Sequence, residues 1–307
     1  MVGGSAGGIG ALCEVLKGLP TEFSAPLLAV IHLGEGGSFL REVLQRCTNL
    51  EVVSPKDPQP INAGRVYIAS PNRHLTVRDG CVMTSPGPRE NRHRPAIDVL
   101  FRSAARSYRS DVVAVVLSGA LDDGVAGSLA VKARGGTVII QDPEEATTPD
   151  MPANVLRRVR VDHALRLADM GPFLARLAAN GEPSTGHGPT PQQCQEISVE
   201  EAMANTDPLA YTCPECGGSL LKVDQGGFEN FRCNVGHTYS LESFSYAHSH
   251  ALERALWTAV QRLNEQRSIQ EHLARRTSDP QLQKRHQENA EAAAEDMRLL
   301  KEILARL

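Results

Sequence analysis

Short apolar runs alternate with helical patterns over the first 178 residues, and this alternation constrains the fold more than any other feature of the chain. Four runs have the largely continuous apolar character of strands covered on both faces, at residues 26–31, 65–69, 112–117 and 137–141. Helical patterns accompany them at residues 10–17, 38–47, 96–108 and 124–134. This order predicts an α/β fold: a doubly wound, mostly parallel, Rossmann-like sheet of three layers, with helices on both faces.

One antiparallel interruption is predicted inside this pattern. Residues 74–77 and 81–84 flank Arg78-Asp79-Gly80, and an Asp-Gly pair is a common hairpin turn. The first strand is predicted to be very short, because only Met1 and Val2 precede Gly3.

The composition excludes several classes of protein. A chain of 307 residues can bury a large core and still carry a smaller appendage. A net charge of -4 gives no support for a nucleic-acid-binding body. No apolar run approaches the length of a membrane span, and the first residues lack the basic and then apolar order of a secretory signal. We therefore expect a cytoplasmic protein without a membrane span.

Composition also predicts four regions. Residues 1–178 form the α/β domain, and residues 179–208, rich in Gly, Pro, Ser and Thr, form a flexible linker. A cysteine segment follows at residues 209–240, and a polar helical tail at residues 241–307. Asp279 is placed to cap the second helix of that tail, with Pro280 in its first turn. The tail is predicted to be a helical hairpin or short coiled coil, either packed on itself or available to a signalling partner.

The cysteine segment has the spacing of a metal site. Cys213 and Cys216 form a Cys-x2-Cys pair, and Cys233 and His237 follow about 16 residues later. Three thiolates and one imidazole at this spacing predict a closed zinc ribbon, which is structural rather than catalytic. An iron site, free thiols and nucleic-acid binding by the ribbon stay open as alternatives.

Two further expectations concern the environment of the cysteines. Aromatic side chains are expected to cover the metal: Phe228, Phe231 and Tyr239. The odd cysteine count and the expected cytosolic setting disfavour disulfides. The remaining cysteines are therefore expected to be free thiols: Cys13, Cys47, Cys81 and Cys194.

Candidate catalytic groups follow three of the predicted strands. Gly3-x-Ser5-x-Gly7 is typical of a serine nucleophile on a sharp strand-to-helix turn, although a phosphate loop or a plain turn is the alternative. The glycine spacing does not match the dinucleotide-binding fingerprint, and the Walker lysine is missing. His32 follows the second strand, and Asp122-Asp123-Gly124 follows the strand at 112–117. Carboxyl ends of parallel strands meet at one edge, so a Ser-His-Asp arrangement is predicted.

Five ordered segments carry a resemblance to a known family: residues 3–8 (GGSAGG), 31–32 (IH), 91–95 (NRHRP) with 98–101 (DVLF), 118–124 (SGALDDG) and 151–152 (MP). Through them, residues 1–178 resemble the catalytic domain of the chemotaxis protein-glutamate methylesterases. The resemblance is to a form without a receiver domain that carries a C-terminal zinc ribbon and helical extension.

The resemblance implies a role for each candidate residue. Ser5 would be the nucleophile, His32 the general base and Asp123 the orienting carboxylate, with Asp122 as the runner-up for that last role or as a local cap. The backbone N–H groups of Ala6 and Ala120 would bind the oxyanion. The basic stretch would either line the groove for an acidic receptor helix or buttress the site: Arg92, His93 and Arg94.

The implied activity is hydrolysis of glutamate methyl esters in a methylated chemoreceptor-type protein, with glutamine deamidation as a related reaction. No cofactor is implied for catalysis, and a structural zinc is expected in the ribbon. The alternative is a catalytically idle scaffold that acts in a signalling complex through its ribbon and helices.

Overall fold

The computed structural model describes residues 1–33, 39–56, 58–180, 211–224 and 229–307. The chain divides into two compact units, Met1–Phe244 and Ser245–Leu307. The predicted linker, residues 179–208, lies outside the described residues except for its first two positions. Within the described ranges, no helix combines the length and the apolar character that crossing a membrane requires.

The strands are, in chain order, β1 (Val2–Gly4), β2 (Leu27–Ile31), β3 (Glu51–Val53), β4 (Gln59–Pro60), β5 (Arg65–Ile68), β6 (His74–Arg78), β7 (Cys81–Ser85), β8 (Val113–Val116), β9 (Thr137–Gln141), β10 (His163–Leu165), β11 (Leu220–Asp224), β12 (Glu229–Cys233) and β13 (Thr238–Ser240). The helices are α1 (Gly8–Lys17), α2 (Leu40–Gln45), α3 (Ile97–Tyr108), α4 (Val125–Lys132), α5 (Asp150–Arg158), α6 (Leu167–Asn180), α7 (Leu241–Arg276) and α8 (Pro280–Leu304).

Seven strands form one parallel sheet in the order β10-β9-β8-β1-β2-β5-β3. The short β1 occupies its centre, since Val2 pairs with Ala29 of β2 on one side and with Val115 of β8 on the other. Strand order therefore reverses around β1, which is where ligands bind in sheets of this kind. The predicted doubly wound parallel fold is confirmed.

Buried side chains fill both faces of the sheet. Val116 of β8 belongs to a core cluster that includes α3, α4 and α5, whereas its neighbour Val115 belongs to the cluster that includes α1, α2 and α6. Successive side chains of a strand point to opposite faces, so a strand buried on both faces has to be continuously apolar. This is the reason that the apolar runs identified the strands.

The antiparallel hairpin is also confirmed, with β6 and β7 paired from His74↔Ser85 to Arg78↔Cys81. The short β4 pairs with β7 and completes a separate three-stranded sheet. The expectation of free thiols is wrong for Cys13 and Cys47, which form a disulfide. These cysteines lie on α1 and just after α2, two helices that pack on the same face of the sheet.

The cysteine segment forms a small antiparallel sheet, β11-β12-β13, within the first unit. Residues 245–276 of α7 and all of α8 form the second unit. The predicted break between the helices is confirmed, because Asp279 accepts hydrogen bonds from the N–H groups of Gln281 (2.9 Å) and Leu282 (3.4 Å). His286 Nδ1 lies 2.7 Å from Gln270 Oε1, as expected for a helical hairpin.

Candidate active site

Ser5 lies in the turn that joins β1 to α1. Its N–H donates to the carbonyl of Ser118 at 2.9 Å, so the turn rests on the segment that follows β8. Gly7 closes the turn in the left-handed region with φ of 78°, and a Cβ there would come within 2.8 Å of Ser118 Oγ. Only glycine fits such a position without strain. The turn therefore holds Ser5, which is half-buried, at the edge of the sheet.

His32 lies directly beyond β2 and beside this turn. Its N–H donates to the carbonyl of Gly4 at 2.9 Å, which places it next to Ser5. Its Nε2 lies 2.8 Å from Asp123 Oδ2, and both side chains are buried. The second ring nitrogen, Nδ1, is buried and makes no hydrogen bond with any described residue. His32 therefore has one nitrogen held by a carboxylate and one that is unengaged.

The carboxylate of Asp123 accepts four hydrogen bonds. Besides His32 Nε2, its donors are the backbone N–H groups of Ile97 (2.7 Å) and Asp98 (3.1 Å) and Asn91 Nδ2 (3.2 Å). The two N–H groups belong to the first turn of α3, where orphan amides and the helix dipole favour an anion. Burial would raise the pKa of Asp123, but the His32 hydrogen bond and charge hold that pKa below its usual range. Asp123 is therefore an ionised acceptor for His32 Nε2–H.

Two neighbouring carboxyl groups have different surroundings. Asp98 accepts from the N–H groups of Gly124 and Gly127 and from Asn91 Nδ2. Burial, together with the charge of Asp123, raises the pKa of Asp98 well above its usual value. Asp122 accepts from Ser240 Oγ at 2.8 Å, and burial raises its pKa to about 7. Of the adjacent pair, Asp123 contacts His32, whereas Asp122 contacts the ribbon.

The backbone groups predicted to bind an oxyanion lie next to Ser5. Ala6 and Ala120 are exposed, and neither N–H donates a hydrogen bond among the described residues. Ser118 Oγ joins their two loops, since it donates to the carbonyl of Ala6 at 2.7 Å and accepts from Thr148 N–H at 2.9 Å. Ser118 thus fixes the turns on which both amides lie.

The members of the basic stretch, residues 92–94, have different surroundings. The ring of His93 stacks on that of His32, with centroids 3.6 Å apart and an interplanar angle of 7°. Burial, reinforced by the charge of His32, lowers the pKa of His93 to about 3, so His93 is neutral. The Arg94 guanidinium donates to Asn72 Oδ1 and to the carbonyls of Pro86 and Gly87. Substrate contact stays a prediction for all three residues, each of which is half-buried: Arg92, His93 and Arg94.

Residues 1–174 match the family model described as CheB methylesterase. The chain belongs to this family. A protein of Leptospira interrogans, named "Putative protein-glutamate methylesterase/protein-glutamine glutaminase", is 36% identical over 183 residues, which are 59% of this chain and 94% of that one. A Myxococcus xanthus protein-glutamate methylesterase/protein-glutamine glutaminase is 40% identical over 161 residues, which are 50% of this chain and 46% of that one.

A solved structure of the family has the same fold. The catalytic domain of the Thermotoga maritima CheB methylesterase superposes with a TM-score of 0.55 at 32% identity, covering 57% of this chain and 96% of that domain. Several curated relatives are about twice as long as the segment they share with this chain. The methylesterase match ends at residue 174, so the cysteine ribbon and the helices lie outside it.

The ribbon brings its four candidate ligands together. One ligand atom each from Cys213, Cys216, Cys233 and His237 lies within 4.8 Å of the others. Cys216 and Cys233 Sγ are 3.6 Å apart, and His237 Nδ1 is 3.6 Å from Cys213 Sγ and 3.5 Å from Cys233 Sγ. A tetrahedral Zn²⁺ with Zn–S bonds of about 2.3 Å has ligand–ligand edges of about 3.8 Å. The spacing fits such an ion.

Of the aromatic residues predicted to cover the metal, Tyr239 contacts a ligand of this cluster. The hydroxyl of Tyr239 lies 3.5 Å from Cys213 Sγ, and Phe231 is buried beside Tyr211 and Phe244. Phe228 and Cys194 lie outside the described residues. Cys81 is a free, half-buried thiol, as expected.

Sequence reasoning missed the polar residues that contact Asp123, Asp122 and the Ser5 turn. Asn91 and Asp98 lie in the segment that carried the family resemblance, which signalled importance but not a role. Ser118 follows a predicted strand end and begins the resemblance segment 118–124, but neither signal indicated its contacts with Ala6 and Thr148. Ser240 could not be found, because its partner Asp122 is 118 positions away in the sequence.

Proposed function

We propose that this methylesterase-family chain hydrolyses glutamate methyl esters of a chemoreceptor-type protein, with Ser5 as nucleophile, His32 as general base and Asp123 as orienting carboxylate. One observation carries the proposal: a buried His32–Asp123 pair, with a second imidazole nitrogen unengaged, lies beside the turn that holds Ser5. The names of the relatives, protein-glutamate methylesterase/protein-glutamine glutaminase, support the same substrate class.

The tautomer of His32 sets the first step. Asp123 accepts the proton on Nε2, so neutral His32 presents an electron pair on Nδ1. As Ser5 Oγ bonds to the ester carbonyl carbon, its proton moves to Nδ1 and the carbonyl π electrons move to oxygen. The Ala6 and Ala120 N–H groups stabilise that oxyanion by roughly 3–4 kcal/mol per donor.

The same residues complete the reaction. The oxyanion reforms the carbonyl, the C–OCH₃ bond breaks, and His32 gives its proton to the leaving oxygen, which departs as methanol. A water molecule then attacks the acyl-Ser5 ester and gives a proton to His32. Collapse of the second tetrahedral intermediate returns that proton to Ser5 and releases the carboxylic acid, which loses its remaining proton to solvent and becomes the carboxylate. An amide substrate would follow the same steps with ammonia as leaving group, which is the deamidation reaction.

The proposal extends to location, metal and substrate contact. Zn²⁺ is the ion that three thiolates and one imidazole at this spacing would hold, and its closed coordination makes it structural.

Arg92 would contact an acidic receptor helix at the rim of the site. The protein would act in the cytoplasm, and the C-terminal helices would be available to a signalling partner.

The test is methanol release from a methylated receptor or from a peptide that carries a glutamate methyl ester. We expect release by the wild type and a loss of roughly 10³-fold or more in Ser5→Ala. Ser24→Ala is the matched control, because Ser24 is an exposed serine bonded to Ala178, and it should retain full activity. An inactive wild type would leave the scaffold alternative, and an active Ser5→Ala would remove Ser5 as the nucleophile.

A further inference from the structure

The last strand of the ribbon lies against the loop that precedes α3. Asn91 N–H donates to the carbonyl of Thr238 at 2.8 Å, and Thr238 N–H donates to the carbonyl of Arg89 at 3.3 Å. These bonds join β13 to the Arg89–His93 loop, and both segments belong to the first compact unit. Gly236, with φ of 101°, packs so closely on Pro88 that a Cβ there would lie 2.9 Å from its ring. The ribbon is therefore docked next to the triad.

The side-chain amide of Asn91 connects the ribbon to the catalytic carboxylate. Its oxygen accepts hydrogen bonds from Ser240 N–H (3.0 Å) and Ser243 Oγ (3.1 Å). Its nitrogen donates to Asp98 Oδ2 (2.9 Å) and Asp123 Oδ1 (3.2 Å). An amide has two donor and two acceptor positions, and all four are used here.

These four bonds fix the direction of the amide. If the amide were flipped, its NH₂ group would face the Ser240 N–H, and its oxygen would face two carboxyl groups. Asn91, Ser240 and Ser243 are all buried, so water could not relieve either of these two unfavourable contacts. The ribbon donors therefore decide that Asn91 presents N–H groups, rather than its oxygen, to Asp123.

A second contact holds the neighbouring position of the acidic loop. Ser240 Oγ donates to Asp122 Oδ1 at 2.8 Å and accepts from Ser243 N–H at 3.0 Å. The same β13–α7 junction thus contacts Asp122 directly and Asp123 through Asn91. An ion pair between Arg158 and Glu242 lies at the same junction.

The metal cluster lies at the start of β13. His237 immediately precedes Thr238, and its carbonyl accepts a hydrogen bond from Cys233 N–H at 3.0 Å. An ion bound by Cys233 and His237 would therefore fix the residue from which β13 begins. Without it, three thiols and an imidazole would hold this turn by weak contacts alone.

We infer that the ribbon is a positioning element of the active site. Zinc in the Cys213-Cys216-Cys233-His237 cluster holds β13 in place. β13 and Ser243 then fix the direction of the Asn91 amide, and this amide orients Asp123. This inference rests on the proposed function, since it assigns Asp123 to the triad. Ser240, Ser243 and Asn91 are positioning residues, because they act through Asp123 and contact no substrate. Hydrolysis by this chain would then depend on a metal that takes no part in the chemistry.

The experiment uses the full chain, loaded with Zn²⁺ or stripped of it by a chelator, and the Zn²⁺-loaded Ser243→Ala variant. Methanol release from a glutamate-methyl-ester peptide gives kcat and KM, and hydrogen exchange follows the amides of Asn91, Ile97 and Asp98. Removal of the zinc should weaken the hydrogen bond of Asn91 to the buried charge of Asp123. We therefore expect kcat to fall roughly ten- to hundredfold, with KM unchanged. Ser243→Ala should lower kcat several-fold, and both changes should speed exchange at these amides.

The matched control is Ser219→Ala, since Ser219 is an exposed serine of the same ribbon that lies outside this network. It should keep the wild-type kcat and exchange rates. Unchanged kcat and unchanged exchange in the stripped protein, with the ribbon itself unfolded, would overturn the inference. If the loaded wild type releases no methanol, the proposed function fails, and the exchange data still decide whether zinc orders the Asn91 loop.

Discussion

The sheet edge around Ser5 and the cysteine ribbon both gather polar side chains in buried places, but they hold them differently. At the sheet edge, Asp123 is surrounded by four hydrogen-bond donors, two of which are backbone amides of α3. In the ribbon, three sulfurs and one imidazole lie within 4.8 Å of one another. Backbone amides come with the fold, whereas sulfur ligands need a cation to be stable at such distances. We therefore expect the sheet edge to take most of its order from backbone amides of the fold, with Asn91 as its link to the ribbon, and the ribbon to take its order from a bound metal.

We expect the largest loss of activity from a substitution at the sheet edge, where Asp122 and Asp123 are adjacent and only one of them contacts His32. In Asp123→Asn, the side-chain NH₂ would face His32 and favour the wrong tautomer, and kcat should fall roughly 10³–10⁴-fold. Asp122→Asn is the matched control, because it keeps an oxygen for Ser240 and should cost less than roughly tenfold. Methanol release measures both. Equal losses in the two variants would contradict the assignment of Asp123.

The ribbon is tested by removing one ligand. Cys213→Ser should abolish stoichiometric zinc binding and open the ribbon to protease, while the circular dichroism of the parallel sheet persists, because metal binding supplies the folding energy of such modules. Cys81→Ser is the control, since Cys81 is a free thiol on β7, and it should keep one zinc per chain. Zinc analysis and limited proteolysis measure the outcome. A protease-resistant ribbon without metal would show that its own packing suffices.

The pH dependence of stability tests the contact between the two regions. The folded-state pKa of Asp122, about 7, exceeds that of a free aspartate, about 3.9, because burial and the charge of Glu242 disfavour ionisation. The folded state therefore binds more protons between these values, and stability falls as pH rises from about 4 to 7, by on the order of 4 kcal/mol. Asp122→Asn, which cannot ionise, should flatten this dependence. Thermal unfolding at several pH values measures the stability of both proteins. If the stability of wild type and variant changes with pH by the same amount, Asp122 is not the source of the dependence.

The smallest effect is expected at His93, whose ring stacks on that of His32, the proposed general base. His93→Ala removes the surface that restrains His32 and should lower kcat about three- to tenfold, within the range of a stacked ring pair. His93→Phe keeps a flat ring and should restore most of the loss, since neutral His93 contributes no charge. If His93→Phe is as slow as His93→Ala, the imidazole itself, and not the stacked surface, is required.

Much of the fold could be predicted from the sequence. The apolar run at 137–141 has the same bounds as β9, because a strand covered on both faces has to be apolar throughout. The meeting of Ser5, His32 and the acidic loop also followed from strand ends sharing one edge. The disulfide between Cys13 and Cys47 could not be predicted, since 34 residues separate them and only the packing of α1 beside α2 brings them together.

By itself, the sequence determined the parallel sheet, the chemical groups at its central edge and the four ligands of the ribbon. These depend on periodicity and short spacing, which are local properties of a chain. Only the tertiary structure decided that Asp123 contacts His32 while Asp122 contacts Ser240, and that Asn91 bonds both to Asp123 and, across 149 positions, to Ser240 of the ribbon. Hydrogen bonds depend on the distance and direction of individual atoms, and these are set when distant segments pack.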